Sequence, residues 1–479
     1  MRITYNYIIM NIKFFTTTFL SLLLFISTSF AQPKYIFYLI GDGMGLNHVN
    51  LAEIYSAELQ GRIGYQPLAF SQFPYVGFAS TNSASSSITD SGAGGTALAV
   101  GKKTHNGVIG MDSAATVPQR SIAYAAKEAG LKVGITTSVS IDHATPAAFY
   151  AHQPKRSYAY EIASEIPTSG FDFFAGSGFV SPITTFDKKS VEDIHTLLAT
   201  KGYTIVRGKH ALRNDNHAGK KIVWLNNESQ DKDALKYAID QTAEDMSLED
   251  ITKGAIKALS HNNTKGFFLM VEGGKIDWAS HANDCATTVK EVLDFNKTVQ
   301  AAFDFYKKHP NETLIVVTAD HETGGLSLGN GPSSLNLKAL AHQKVSQGAL
   351  STLIGNIRKS QPNATWDEVK NLIAENTGLW TNLKVSEADE KEIKAAYEKS
   401  FVNHQNETSK SLYANDDKIA SLSVRILNKI ANVGWSSTNH TAAYVPVYAI
   451  GVGAEVFNQK MDNTDIPKKI AEAAKFNFN

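Results

Sequence analysis

Cysteine is almost absent from this chain of 479 residues, in which Cys285 is the single example. One cysteine excludes an intramolecular disulfide, so the fold must be stabilised by a sizeable apolar core, aided by any metal that it binds. Cys285 follows His281 by four residues, a spacing that places two metal ligands on one helix face. The simpler interpretation, which we favour, is a small buried residue.

An excess of charge of either sign is also absent. Lysine and arginine total 46, and aspartate and glutamate total 46. This balance indicates neither nucleic acid nor an acidic membrane surface as a partner, and it predicts no long-range attraction of anionic substrates. A positive site for an anion therefore has to be local.

Long apolar runs are absent except near the N-terminus. Residues 14–26 are largely apolar, follow Lys13 and precede a small-x-small pattern at 29–31, which predicts a signal peptide over residues 1–31. No later stretch approaches the ~18 apolar residues of a spanning helix, and no cysteine follows the run as a lipidation site. We therefore expect an exported protein, periplasmic or secreted, with a mature chain at 32–479 and no membrane anchor.

Two well-known motifs are incomplete. Residues 41–45 begin like a dinucleotide fingerprint, but Leu46 stands where the third glycine is required. Asp42 is then either a turn-forming residue or a ligand carboxylate at the end of a strand. The pair His321-Glu322 is not a zinc-protease motif, because Gly325 occupies the place of the second histidine.

The alternation of short apolar runs with helical segments predicts an α/β fold, with a mostly parallel central sheet and helices on both faces. Ligands of such sheets bind beyond the carboxyl ends of the strands. The predicted strands are 35–40, 133–139, 267–271, 313–318 and 445–452, with a helix at 120–130.

Residues from about 329 to 433 interrupt this alternation. Thr365 and Glu368 form a capping box, and Gly378 suits the end of the same helix. Similar helices are predicted at 386–401 and 416–430. We expect an inserted, mainly helical subdomain within the catalytic domain.

A hydroxyl nucleophile is the first chemical signal. Ser91 follows Asp90 and precedes glycines and alanines that can begin a helix, where N–H groups and the helix dipole favour an alkoxide or a bound anion. Residues 80–87 are rich in serine and alanine, so a flexible surface loop is the alternative. Arg156 offers a planar fork for two oxygens of phosphate or sulfate, although an isolated arginine is usually a solvated surface residue.

Carboxylates and histidines recur at or just beyond the predicted strands. Asp277 and His281 share one face of a helix, whereas Asp320 and His321 can reach one site only if their strand has ended. Oxygen and imidazole ligands without thiolate suit zinc or another divalent ion. Each alone has a simpler explanation, a capped turn or a hydrogen-bonded core histidine. The full set is Asp42, Glu272, Asp277, His281, Asp320, His321 and His440.

Taken together, these residues lie in motifs whose order resembles the alkaline phosphatase family, and in particular its exported bacterial members. The resemblance runs from Tyr35 to about Gly453 and excludes much of the helical insert. The motifs are residues 41–45, 89–91, 143–147, 151–156, 271–281, 318–321 and 439–441.

The resemblance implies an alkaline phosphatase-like fold and hydrolysis of phosphate monoesters through a phosphoserine on Ser91, with Arg156 holding the phosphoryl oxygens. It implies two zinc ions and a third metal, usually magnesium. The implied ligand sets are Asp277, His281 and His440 for one zinc, Asp42, Asp320 and His321 for the other, and Asp42, Thr145 and Glu272 for the third metal.

Asp90, His143 and Trp278 are expected beside these ligands. His143 and Trp278 stand where some bacterial members carry an aspartate and a lysine, which leaves the third metal open between magnesium and zinc. Trp278 is expected to pack against the site. A homodimer is a family expectation, and the insert leaves the oligomer contacts and the access of substrate open.

Three functions remain to be compared. The first is a phosphate monoesterase with broad alcohol specificity, because the sequence offers a phosphate site and no evident leaving-group pocket. The second is a phosphodiesterase or sulfatase on the same metal scaffold. The third is an exported protein that binds metal or phosphate without turnover. Ser91 and Arg156 within a complete ligand set favour the monoesterase.

Overall fold

A computed structural model describes residues 32–212, 217 and 219–478. The predicted signal peptide at 1–31 lies outside the described residues. The described residues form sixteen strands: β1 Tyr35–Gly41, β2 Tyr75–Ser80, β3 Lys132–Thr137, β4 Phe173–Ala175, β5 Tyr203–Arg207, β6 Lys221–Leu225, β7 Phe267–Gly273, β8 Thr313–Thr318, β9 Glu322–Thr323, β10 Leu326–Leu328, β11 Thr408–Lys410, β12 Asn415–Asp417, β13 Val433–Trp435, β14 His440–Thr441, β15 Val445–Gly451 and β16 Lys460–Asp462.

The same part of the chain forms fifteen α-helices: α1 Leu46–Glu58, α2 Ser91–Val100, α3 Ile122–Glu128, α4 Ala144–Ala147, α5 Ala159–Ser164, α6 Ile166–Ser169, α7 Ile194–Thr200, α8 Leu248–Ser260, α9 Lys275–His281, α10 Cys285–Tyr306, α11 Gln347–Ser360, α12 Trp366–Thr377, α13 Glu387–Tyr397, α14 Lys418–Ile430 and α15 Asp465–Ala474. Among the described residues, no helix combines the length and the apolar character needed to cross a membrane.

Ten strands form the central sheet in the order β16-β2-β15-β8-β1-β7-β3-β4-β6-β5. Neighbours run parallel except at β15, which is antiparallel to both β2 and β8. The prediction of a mostly parallel sheet surrounded by helices is therefore confirmed. The antiparallel direction of β15 was not predicted, because its apolar run gives no indication of strand direction.

The middle strands are apolar on both faces. Every residue of β1, β7 and β8 is buried, as expected for parallel strands that helices cover on each side. The register pairs Tyr35 with Phe267 and with Thr313, so the three strands begin together. They also end together, at Gly41, Gly273 and Thr318, and this common end positions the site.

The segment after β10 packs around an apolar cluster of its own. We call this cluster the insert core. The predicted helix after the capping box is present as α12, with both capping hydrogen bonds formed and Gly378 in the left-handed conformation. The predicted subdomain boundary at about 329–433 stays a prediction. The insert core is formed by Leu350, Ile354, Ala364, Val369, Ile373, Leu379, Ile393, Ala396, Tyr397, Phe401, Ile419, Ala420, Leu422 and Ile426.

The sequence did not predict a small antiparallel hairpin in this segment. Its strands β11 and β12 pair Thr408 with Asp417 and Lys410 with Asn415. We call residues 408–417 the insert hairpin.

Candidate active site

The candidate residues gather where the central strands end. Asp42 follows β1, Glu272 is the second-last residue of β7, and Asp320 lies just beyond β8. Because these strands are parallel neighbours, their carboxyl ends open to the same edge of the sheet. The strand before Asp320 ends at Thr318. Asp320 and His321 can therefore both point into one site, as predicted.

Ser91 is the first residue of α2, and Asp90 is its N-cap, accepting from the N–H of Ala93 at 3.0 Å. All ten residues of this helix are buried, so the flexible-loop alternative is wrong for Ser91. The glycines allow close approach. A Cβ on Gly94 would lie 3.1 Å from the carbonyl oxygen of Asp320, and a Cβ on Gly95 would lie 3.0 Å from the Thr145 Cα.

Asp90 also joins the helix to the arginine. Its second carboxylate oxygen accepts from Arg156 Nη1 at 3.2 Å, while the first also accepts from the N–H of Gly107 at 2.9 Å. Burial opposes ionisation, but Arg156 and the two backbone donors outweigh it and hold the pKa of Asp90 below its usual value. An ionised Asp90 thus fixes the guanidinium of Arg156 beside the N-terminus of α2.

The first two predicted ligand sets are each brought together. The ligand atoms of Asp277, His281 and His440 lie within 4.8 Å of one another, and so do those of Asp42, Asp320 and His321. Ser91 Oγ lies 3.2 Å from His321 Nε2.

The three histidines point the same nitrogen towards the site. His281 Nδ1 lies 2.6 Å from the carbonyl oxygen of Thr438, and His440 Nδ1 lies 2.8 Å from that of Thr89. His321 Nδ1 lies 3.3 Å from the hydroxyl of Thr323. An oxygen partner at Nδ1 fixes the tautomer and leaves Nε2 as the free lone pair, the arrangement typical of metal-binding histidines.

A histidine lies beside two members of the third implied set. Asp42, Glu272 and His143 form a group within 4.8 Å, so His143 lies among the candidate ligands rather than beside them. Thr145 lies in α4, and its hydroxyl donates to Asp320 Oδ2 at 3.3 Å. Burial and the nearby Arg156 lower the pKa of His143 to about 3, so the imidazole is neutral and able to act as a ligand.

The donor set fits divalent cations. Neither carboxylate oxygen of Asp42 accepts a hydrogen bond from the described residues, although the side chain is fully buried. Burial and the neighbouring carboxylates of Asp320 and Asp277 raise the pKa of Asp42, and burial raises that of Glu272 to about 8. Buried carboxylates in such proximity are stabilised by cations, and oxygen with imidazole suits zinc or magnesium.

Two aromatic side chains border the site. Trp278 lies on α9 between Asp277 and His281, and it packs as expected, with its ring stacked on Tyr413 at 4.4 Å between centroids. Sequence reasoning missed Tyr413, because it lies in the insert and in no chemical motif. Cys285 is buried at the start of α10 and belongs to none of the three groups, which confirms the interpretation as a small buried residue.

Comparison with known sequences agrees with the motifs. The sequence model of the family described as "Alkaline phosphatase" matches residues 33–178 and 185–476. The chain belongs to the alkaline phosphatase family. It is an enzyme of phosphate monoester hydrolysis, and the resemblance drawn from its motifs is confirmed.

Curated relatives support the assignment over most of the chain. Alkaline phosphatase 4 of Bacillus subtilis (strain 168) is 32% identical over 447 residues, covering 91% of this chain and 87% of the relative. Alkaline phosphatase 3 of the same organism is 32% identical over 456 residues, covering 93% and 90% respectively.

Solved alkaline phosphatases share the fold. The cold-active enzyme from the psychrophile Shewanella sp. has a TM-score of 0.77 at 28% identity, covering 92% of this chain and 99% of the other. The Thermus thermophilus enzyme has a TM-score of 0.75 at 27% identity, covering 93% and 92%. A mutant of the TAB5 enzyme, with glutamate in place of one histidine, has Mg bound in its M3 site; its TM-score is 0.65 at 26% identity, covering 94% and 100%.

Proposed function

We propose that this alkaline phosphatase hydrolyses phosphate monoesters through a phosphoserine on Ser91, assisted by two zinc ions and a third metal. The observation that carries the proposal is the position of Ser91 at a buried helix N-terminus, 3.2 Å from His321 and next to two sets of three candidate ligands. A protein that only binds metal or phosphate, without turnover, would not need a hydroxyl in that position.

The chain's own residues supply the covalent chemistry. Ser91 Oγ attacks phosphorus, the bond from phosphorus to the ester oxygen breaks, and the alcohol leaves. Water then attacks the phosphoserine, the bond between phosphorus and Ser91 Oγ breaks, and inorganic phosphate is released with the serine hydroxyl restored. Two divalent ions, when bound, lower the pKa of the attacking hydroxyl and offset charge on the departing oxygen.

Arg156 binds the transferring group. Its Nη1 donates to Asp90 at 3.2 Å, which holds the guanidinium beside the N-terminus of α2. A planar fork matches two non-bridging phosphoryl oxygens, and the N–H groups at the start of α2 add further donors.

Asp277, His281 and His440 would hold one zinc, and Asp42, Asp320 and His321 the other. Asp42 and Glu272 would hold the third metal with Thr145 or with His143. The side chain at position 143 sets the preference for that ion, because imidazole favours zinc and carboxylate favours magnesium. TAB5 mutants with an acidic residue in place of one histidine have Mg bound in the M3 site. We therefore expect His143→Asp to increase bound magnesium relative to zinc, measured by elemental analysis.

Steady-state kinetics on three substrates test the proposal. A phosphate monoester, a phosphate diester and a sulfate ester, each releasing p-nitrophenol, are compared at equal metal supplementation. We expect kcat/KM to be highest for the monoester. Preference for the diester or sulfate would favour the alternative enzymes, and no turnover of any would favour the binding protein.

Trapping tests the intermediate separately. Brief exposure to labelled inorganic phosphate at acid pH, followed by denaturation, should label the wild type on the peptide containing Ser91. Label on any other residue would refute the assigned nucleophile.

The proposal includes export with removal of residues 1–31 and, by family likeness, a homodimer. Intact mass of the protein recovered from the medium or periplasm tests the first, and light scattering tests the second.

A further inference from the structure

The insert hairpin places the side chain of Tyr413 in the candidate active site. Its two strands are joined by a tight turn in which the N–H of Ser411 donates to the carbonyl oxygen of Ala414 at 2.8 Å. Tyr413 lies in this turn and is half-buried, whereas its neighbour Leu412 is 56% exposed. The turn therefore directs the tyrosine inward and leaves the leucine in solvent.

The Tyr413 hydroxyl contacts the phosphate-binding arginine. It accepts from Arg156 Nη2 at 3.1 Å and lies 3.4 Å from His143 Nε2. Asp90 holds the other terminal nitrogen of the same guanidinium. Arg156 is thus held on one side by the nucleophile helix and on the other by the insert.

The ring of Tyr413 is fixed as firmly as its hydroxyl. It stacks on Trp278 with an interplanar angle of 12°, and its edge meets the ring of His281 at 5.5 Å between centroids. Stacked and edge-to-face pairs of this kind stabilise a ring beyond the effect of the area that they bury. The hydroxyl is consequently presented at a defined point.

The hairpin itself is anchored to the insert helices. The N–H of Asp417 donates to Ser351 Oγ at 2.6 Å, Asp416 accepts from Gln347 Nε2 at 2.7 Å, and Arg358 forms an ion pair with Asp417. These contacts join the turn to α11 and so to the insert core. The position of Tyr413 is therefore set both by the insert and by the ring contacts with α9.

We propose that Tyr413 is a positioning residue for phosphate binding, and that the helical insert contributes to catalysis by placing its hydroxyl against Arg156. The inference rests on the proposed function, because it assigns Arg156 to the phosphoryl oxygens. An arginine has several rotatable bonds, and holding both of its terminal nitrogens reduces the entropy that it loses when a bidentate contact forms. Without Tyr413, Nη2 keeps only its 3.2 Å contact with His143 Nε2, so the plane of the fork is held less firmly.

Tyr413→Phe removes the hydroxyl and keeps the stacked ring. We expect the inhibition constant of inorganic phosphate to rise about fivefold to tenfold, the net effect of losing one typical hydrogen bond. With p-nitrophenyl phosphate, kcat/KM should fall by a similar factor, while the metal content and melting temperature stay at wild-type values. Tyr413→Ala should have a larger effect, because the stacking on Trp278 is lost as well.

Two control variants separate this role from general damage. Tyr444→Phe makes the same chemical change at a tyrosine that is 41% exposed, and Leu412→Ala changes the neighbouring position of the same turn. Both should retain the wild-type inhibition constant. If Leu412→Ala weakens phosphate binding as much as Tyr413→Phe does, the effect belongs to the hairpin and the proposal is overturned.

A double-mutant cycle shows whether Tyr413 acts through the arginine. In an Arg156→Ala background, Tyr413→Phe should have no further effect on phosphate inhibition, since the partner is gone. Additive effects would refute a positioning role, and an unchanged inhibition constant in Tyr413→Phe alone would refute any role in phosphate binding. If the wild type neither hydrolyses p-nitrophenyl phosphate nor binds phosphate, the proposed function fails instead.

Discussion

The sheet edge and the insert core are stabilised in opposite ways. At the edge, buried carboxylates such as Asp42 and Glu272 lie close together, and burial raises their pKa values. In the insert core, apolar side chains pack on helices that begin with hydrogen-bonded caps. Local rules of helix formation explain the insert, whereas the edge breaks the rule that buried charges are avoided. The comparison indicates that cations stabilise one region and packing the other.

Metal removal should produce the largest difference between the two regions. Chelation is expected to abolish activity and to remove roughly 3 to 4 kcal/mol of stability per site that was held at about 100 to 1,000 times its dissociation constant. Hydrogen exchange should accelerate at residues 89–100, 271–281 and 318–323, while α11 and α12 keep their protection. Equal acceleration in both regions would contradict the comparison.

Loss of the Ser91 hydroxyl should lower the activity without changing the structure of the sheet edge. Ser91→Ala is expected to lower kcat by at least about 10³-fold, with the metals still bound because the three groups of histidines and carboxylates are left intact. Stopped-flow assays with p-nitrophenyl phosphate and elemental analysis of the same sample provide the test. Turnover at the wild-type rate would remove Ser91 from the mechanism.

A cavity in the insert core should lower the stability of the protein and leave the activity of the folded enzyme almost unchanged. Ile373 is fully buried, so Ile373→Ala is expected to cost about 2–5 kcal/mol of unfolding free energy. While the protein stays folded, kcat should remain within about twofold of the wild type, because Ile373 lies in α12 and the hairpin that carries Tyr413 is anchored to α11. Denaturant unfolding and kinetics at low temperature measure the two quantities. A fall in kcat without unfolding would show that the insert core is coupled directly to the site.

The smallest effect is expected at the cap of an insert helix. Thr365→Ala removes the hydroxyl that accepts from the N–H of Glu368, which typically costs about 0.5–2 kcal/mol. Thr365→Ser keeps the hydroxyl and serves as the control. Thermal unfolding should distinguish the two variants, with activity unchanged in both. A loss of activity in Thr365→Ala alone would show that this cap supports the site.

The candidate ligands at the sheet edge were easier to predict from the sequence than the side chains around them. Asp42, Asp320 and His321 could be placed together because each follows a strongly apolar strand, and parallel strands bring their ends to one edge. Tyr413 could not be found, since its contact with Arg156 depends on how the insert packs. Nor could the membership of His143 in the third group be predicted, because it depends on the side chain's direction at the start of α4.

Strand β15 lies between β2 and β8, and His440, shortly before it, bonds across 351 residues to the carbonyl oxygen of Thr89. A nascent polypeptide can therefore form neither the contact between His440 and Thr89 nor the complete sheet until translation has passed His440 and then the edge strand β16, which ends at Asp462. A ribosome that stalls earlier releases a chain without a working centre. Catalysis thus requires that synthesis has passed the last of these segments.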